Sequence, residues 1–467
     1  MTQSQFLLYN HQKAIRLRPE RMGFYMQSEI IEAYSEDNEV YYLFFYKQQF
    51  LTAMKTKKLR RHSHIEHAFK AEDFVLVAPH PLINALLSNS LPLKTLGFKQ
   101  LLKKLEAHYT PHERALILTF FESFIPKKDL FKEILEIFYE FRRNGQMFAG
   151  YQIFHLLKGF APKHSLVQKL ESEMAFRKFA DQYNQNSESV LKKDPIYAEQ
   201  TFYKKIDNPE ILSKLVAILE KESRWIDLST LYIYKLLESP SASYYKPLLQ
   251  LLEHHLTEDE TVEILENIAS RLTNFEPLNH DLFEKYFSQN NLERILTIMK
   301  NYPLKISPSQ EKIIERFVAD LDFETDPLKP ETLAKLMSPL FDASPHTAGL
   351  LLKKCIFSLI KKHDIDFVTK WLSPLNGYCE ELEVYIKVNQ IKSLANDLDQ
   401  LQRLGELYYE FKHFDKAIEC FSWEMEFKPS SPKPVQWLSK IHREMGMNLE
   451  SDAYQQHFVN LQKRVTG

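Results

Sequence analysis

Glycine is scarce in this chain, 10 in 467 residues, where an average protein has roughly 7%. Few glycines leave little material for tight primed β-turns, which argues against a large β-sandwich or barrel. Cysteine is scarcer still. Cys355, Cys379 and Cys420 are odd in number and far apart, and no CxxC occurs, so neither a disulfide framework nor a zinc site has support. No apolar run approaches the roughly 20 residues of a membrane span. The first residues, MTQSQFLLYNHQKAIRLRPE, lack the apolar core and small-residue cleavage site of a secretory leader. The expectation is a soluble, cytosolic protein. The net charge is only −2, so no overall sign points to nucleic acid or to an acidic membrane.

Catalytic signatures are also missing. There is no G-x-x-x-x-G-K-[ST], G-x-G-x-x-G, G-x-S-x-G or H-E-x-x-H. His254 and His255 stand near Glu253 and Glu258, and Glu380, Glu381 and Glu383 stand near Cys379. Adjacent residues on a helix point to different faces, so neither group makes a site. No nucleophile, base and orienter can be assembled. No cofactor or metal is expected, and an enzyme is the least favoured class.

What is present is helical. Hydrophobic residues make up 44% and charged residues 26%, the balance of a folded chain. Leu, Lys, Glu and Phe dominate, as in packed amphipathic helices. The 33 Phe and 23 Tyr read as core between such helices. The clearest stretch is LGELYYEFKHFDKAIECFSWEMEFKP. Its spacing runs Leu404-Gly405, Tyr408, Phe414, Ala417, Phe421, Pro429. Gly405 and Ala417 are small where two antiparallel helices would cross. Leu404, Tyr408 and Phe421 would fill the seam, and Pro429 cannot continue a helix.

The register recurs. Ile137, Phe141, Gly150, Phe154 and Pro162 take the same positions in a predicted pair Asp129–Arg143 and Gln146–Phe160, turning at Asn144-Gly145. Leu215, Leu219, Leu228, Tyr232 and Pro240 take them again, with Leu228 large enough to splay that pair. Ala107–Phe124 is predicted as one helix before a break at Pro126. From 241 to 395 helices continue without clean register, with prolines between runs or at their first positions, as stacked hairpins require. The final pair, Pro434–Met445 and Leu449–Val465, places Ser451 and Gln455 where Ala and Phe belong, and predicts a polar outer cap.

Residues 1–90 read differently. A short amphipathic helix is predicted near Glu20–Tyr34. Val40–Tyr46 (VYYLFFY), a KQQ connection and Phe50–Thr56 (FLTAMKT) read as a hairpin, and Asp73–Ala78 (DFVLVA) as a third strand. One more helix pair is the alternative, since short apolar runs cannot be typed by periodicity. The one dense basic and imidazole cluster follows: Lys55, Lys57, Lys58, Arg60, Arg61, His62, His64 and His67. It reads as a metal site without a second ligand group, as a phosphate or nucleic-acid patch, or as a solvated loop after a hairpin. The loop is favoured.

The stretch from Leu398 to Met445 resembles the tetratricopeptide repeat family, and the weaker units extend the likeness back to about 129. Composition and layout are also similar to repeat proteins of low-GC Gram-positive bacteria. The resemblance implies a right-handed superhelix of helical hairpins with a concave groove that holds peptides or proteins. Glu424 departs from the pattern, standing where a second Ala is usual. Groove-facing positions carried over from the family are Gln402, Glu406, Tyr409 and Glu410 at one end. At the other they are Leu135, Tyr139, Arg142 and Arg143, where the two arginines could hold a carboxylate bidentately. The expected fold is mainly all-α: an N-terminal module (1–90) with a possible hairpin, degenerate hairpins (91–395), and a C-terminal repeat with capping helices (396–467). The expected function is a scaffold binding a protein or peptide through Tyr139, Arg142, Arg143, Glu406 and Tyr409. The alternative is a regulator whose Lys55–His67 segment contacts nucleic acid.

Overall fold

The computed structural model describes residues 5–10, 13–56, 58–70, 74–272, 274–302, 304–323 and 329–466. The chain is mainly helical and divides into two compact units between Phe275 and Glu276.

The first unit opens with a sheet: β1 (Phe6–Asn10), β2 (Lys13–Tyr25), β3 (Ser28–Ser35), β4 (Val40–Tyr46), β5 (Gln49–Lys55), β6 (Val75–Val77) and β7 (Leu93–Lys94). The order is β5-β4-β3-β2-β1-β7, with β6 also pairing β2. All pairings are antiparallel except β1 with β7. The predicted hairpin is present as β4–β5, turning through Lys47–Gln48 with Gln49 already paired to Tyr46. The strand expected at 73–78 is β6, though Asp73 lies outside the described residues.

The helix predicted near Glu20–Tyr34 is absent; those residues are β2 and β3. Met22, Met26, Ile30 and Ala33 mimic a helical stripe. Buried Glu29 and Glu32 hide the alternation that would have marked a strand. Glu32 is held by Arg21 at 2.5 Å and by the Tyr42 hydroxyl at 2.8 Å. β3 and β4 are buried almost throughout, as strands covered on both faces must be.

One core joins sheet and helices. Ile30, Tyr42, Phe44 and Leu51 from the strands pack in one cluster with Phe120, Phe121, Phe138, Phe154 and Phe176. The predicted pair is observed as Lys127–Arg143 and Met147–Phe160, with Gly145 at φ +72° in the turn. The single helix expected over Ala107–Phe124 is two, Phe98–His108 and Pro111–Thr119. Thr110 caps the second, its hydroxyl accepting from the Glu113 amide while the Glu113 carboxylate accepts from the Thr110 amide. Four short helices between Ser165 and Tyr203 were not predicted. Pro209–Lys221 and Trp225–Glu238 form the Leu228 hairpin, and Ala242–His255 and Glu258–Arg271 complete the unit. Pro247 lies inside Ala242–His255, an exception to the proline rule.

The second unit runs from Glu276–Ser288 and Leu292–Asn301 through Pro308–Asp320, Pro345–Lys362, Ile365–Leu372 and Glu383–Leu394. It ends in two hairpins, Leu401–Glu410 with Phe414–Phe427 and Pro432–Glu444 with Asn448–Thr466. The stretch that carried the repeat pattern folds as its residues require. A Cβ on Gly405 would stand 2.9 Å from the Phe421 ring, so only hydrogen fits where the helices cross. Ala417 and Phe421 are fully buried, and the helix stops at Phe427 before Pro429. Ser451 corrects one expectation. It is not part of a polar outer face but 1% exposed, exchanging bonds with Ser439 at 2.9 and 3.0 Å. It acts there as the small residue at a helix crossing, while Gln455 is exposed.

Candidate functional site

The residues predicted to line a groove divide between the two units. Tyr139 is 38% exposed and Arg143 is exposed. Arg142 is engaged within the chain: its two terminal nitrogens meet the Glu173 carboxylate at 3.2 and 3.0 Å. Leu135 packs against the core. In the second unit the Tyr409 hydroxyl bonds Glu444, and Lys440 lies 4.6 Å over its ring. Burial and the Glu444 hydrogen bond push the Tyr409 hydroxyl up. Glu406 accepts from Gln402 at 3.1 Å, and Glu410 pairs with Lys387 at 2.7 Å. Of the predicted anchors, Tyr139 and Arg143 have no polar partner among the described residues to give up.

The basic cluster is broken up by the fold. Lys55 pairs with Glu39 across the hairpin. His64 is buried, stacked on Phe120 at 4.1 Å, and burial pushes it down to about 3. His67 stacks on Tyr25. Lys58, Arg60, Arg61 and His62 stay exposed, and Lys57 lies outside the described residues. His64 Nε2 stands 2.7 Å from Ser28 Oγ, a pairing that invites comparison with a nucleophile and its base. The Ser28 hydroxyl, however, donates to the Tyr25 carbonyl at 2.5 Å, so the proton between Ser28 and His64 belongs to the imidazole. A histidine that donates to serine cannot accept its proton.

Two features were not singled out as sites from the sequence. The first is a buried charge cluster where the sheet meets the helices. Arg224 is 1% exposed and reaches Glu199 at 2.7 Å and Asp227 at 3.1 Å, both also buried. Two hairpin tips plug into it. Gln27 donates to Glu199 and accepts from the Tyr46 hydroxyl at 2.9 Å. Gln48 donates its side chain to Asp227 at 2.9 Å and its amide to Glu29 at 3.2 Å. Lys47 spans Glu222 at 2.7 Å and Glu113 at 3.3 Å. Burial drives the Glu29 carboxyl well above the usual range; repulsion from Asp227 adds to this and attraction from Arg224 opposes it. Glu199 is likewise raised by burial and drawn back by Arg224. A cavity of about 190 Å³, lined by Gln27, Ser28, Tyr203, Asp227 and Thr230, adjoins the cluster. Chemically this is a clamp, holding the Met26–Gln27 and Lys47–Gln48 turns against helices Pro195–Tyr203 and Trp225–Glu238.

The second is a ridge in the second unit. The helix Pro345–Lys362 carries a cleft on each side, each of about 500 Å³. Val318, Leu321 and Leu350 floor one; Leu350, Leu382 and Phe411 floor the other; Lys353 and Phe357 border both. Amphipathic spacing alone could have found the helix, but not that Leu350 on it is 40% exposed.

Among the described residues no helix is long and apolar enough to cross a membrane. No protein-family model matches the chain, and no curated protein does. Among solved structures it is similar to a circular tandem repeat protein with novel repeat topology, at 13% identity over 78% of this chain and 88% of that one, with a TM-score of 0.20. It is also similar to a structure of Naa15/Naa10 bound to HypK-THB, at 12% identity over 76% of this chain and 64% of that one, with a TM-score of 0.15. Both superpositions are too loose to carry structural detail.

Proposed function

We propose that the chain is a non-enzymatic scaffold that holds a segment of a protein partner against its helices, in the cytoplasm. The supporting observation is the form of two cavities of the second unit. They are open clefts along one helix with apolar floors and charged rims, a shape suited to side chains of an incoming segment. The helical-hairpin construction supports the same reading, since stacked hairpins present long surfaces between elements. The three free thiols, all buried, suit a reducing compartment.

The test is crosslinked capture from an extract of the source cells, with three forms of the full chain: unaltered, Tyr139→Ala with Arg143→Ala, and Leu350→Asp. A protein lost only with Leu350→Asp puts the binding surface on the Pro345–Lys362 ridge. One lost only with the Tyr139/Arg143 pair puts it along Lys127–Arg143. If no captured protein depends on either surface while circular dichroism shows both variants folded, the reading fails.

A further inference from the structure

We propose that the Pro345–Lys362 ridge takes an acidic, amphipathic segment of a partner protein, its apolar side chains entering the flanking clefts and its carboxylates meeting Lys353 and Lys361. This rests on the scaffold reading and specifies its occupant. Leu350, Lys353, Phe357 and Lys361 are spaced three, four and four apart, so they form one stripe along one helix face. The stripe alternates apolar and cationic. Lys353 Nζ sits 6.0 Å from the Phe357 ring centroid, its stem lying along the apolar surface.

Charge complementarity decides the occupant. Four carboxylates line the clefts: Glu383 and Glu410 pair with Lys387, Glu315 lies 3.4 Å from the His346 ring, and Asp322 is the fourth. Lys354 is engaged too, donating to the Leu321 carbonyl at 3.0 Å. Lys353, Lys361 and Lys362 are exposed and have no ion-pair partner among the described residues. Five lysines (Lys353, Lys354, Lys361, Lys362 and Lys387) and four carboxylates line the two clefts, so the face offers apolar surface and an excess of positive charge together. Lys353 and Lys361 are eight residues apart, about 12 Å along the axis. Carboxylates that distance apart lie about two turns apart on a helix, or about four residues apart on an extended strand. A phosphate backbone would satisfy the lysines but leave the Leu350 and Leu382 surface uncovered, so a protein segment fits better than nucleic acid.

The experiment is selection of a displayed library of random 16-residue peptides on the full chain. The winners are then measured by fluorescence anisotropy, alongside a single-stranded oligonucleotide. Selected peptides should carry paired acidic and apolar residues. Their affinity should fall about tenfold for Lys353→Glu with Lys361→Glu, and return when the peptide carboxylates are exchanged for lysines. Both positions are exposed, so the variant should keep the unaltered circular dichroism spectrum. Winners without acidic residues, winners indifferent to the double reversal, or tighter binding of the oligonucleotide at the same site would each overturn the proposal. If those peptides fail while a captured protein still depends on Leu350, the scaffold reading stands and only its acidic occupant is lost.

Discussion

Arg224→Met should expose what the buried charge cluster contributes. The substitution keeps an unbranched side chain of similar length and removes the one cation that faces Glu199 and Asp227. Removing one partner from a buried ion pair costs about 3–5 kcal/mol, because the charge left behind has neither water nor counter-ion. Arg224 Nε has no hydrogen-bond partner, which lowers the worth of the native arrangement and puts the expected loss near 3 kcal/mol. Against a total stability of about 5–15 kcal/mol this is a large fraction. The loss should depend on pH. Glu29 and Glu199 have folded pKa values above their unfolded ones. Their contribution is therefore full below about 4.3, the ordinary glutamate value, and declines as pH rises toward the folded values. Arg224 is the cation that draws both carboxyls back down, so without it the declining window extends upward. The penalty should be small near pH 5 and full near pH 8.

The buried histidines slope the other way. His64 is pushed down to about 3, and His80 and His155 to about 4, so they remove stability as pH falls below about 6.5. They are common to both proteins and cancel in the difference. Trp225 is the first unit's sole tryptophan, so 5-fluorotryptophan NMR in a urea series follows that unit by its own resonance. A penalty below about 1 kcal/mol, or an equal one at pH 5 and pH 8, would refute the reasoning about a stranded buried charge.

Four further outcomes are expected, each measurable by urea or thermal unfolding. Gly405→Ala should cost about 1–3 kcal/mol through overpacking against Phe421. Gly150→Ala, at the position that Ala417 holds in the C-terminal hairpin and with nothing nearer than 4.0 Å, should gain about 0.5–1 kcal/mol; effects of the same sign at Gly405 and Gly150 would contradict the packing argument. Gly23→Ala should cost about 3 kcal/mol, since its Cβ would stand 2.4 Å from the Ala68 carbonyl, a backbone atom that cannot rotate away. Glu424→Met should be neutral or stabilising by about 1 kcal/mol, because Glu424 is 2% exposed with one carboxylate oxygen unpartnered and loses only a surface lysine; a loss above about 2 kcal/mol would mean that carboxylate is needed.

The C-terminal hairpin was legible because its determinants are local. Gly405, Ala417, Phe421 and Pro429 each encode one feature of a helix crossing, at spacings short enough to read in one line. The pair at Lys127–Phe160 was legible for the same reason, with Gly145 marking its turn. The ridge was only half legible. Its helix follows from periodicity, but the exposure of Leu350 depends on what the neighbouring helices leave uncovered. Arg142 shows the same limit from the other side. Its guanidinium meets Glu173, in the link just before the helix Met174–Asn184, and the sequence gave no reason to place that link there.

The sheet was legible only in part, at β4, β5 and β6, for a reason that also explains the clamp. Scarce glycine suggested few primed turns, yet the first unit makes them without glycine: Met26 and Gln27 at φ 48° and 63°, Lys47 and Gln48 at 49° and 63°. Non-glycine residues in that region cost on the order of 1 kcal/mol each and persist only where their surroundings over-determine them. Here the surroundings are identifiable. Gln27 is fastened to Glu199 and Tyr46, Lys47 to Glu113 and Glu222, and Gln48 to Asp227 and Glu29. Glycine would relax the backbone but provide no side chain to reach the helices. The turn residues are thus chosen for what they hold across long sequence separations. A reading that looked for glycine as the mark of a turn could find neither the Met26–Gln27 turn nor the carboxylates that fix both turns.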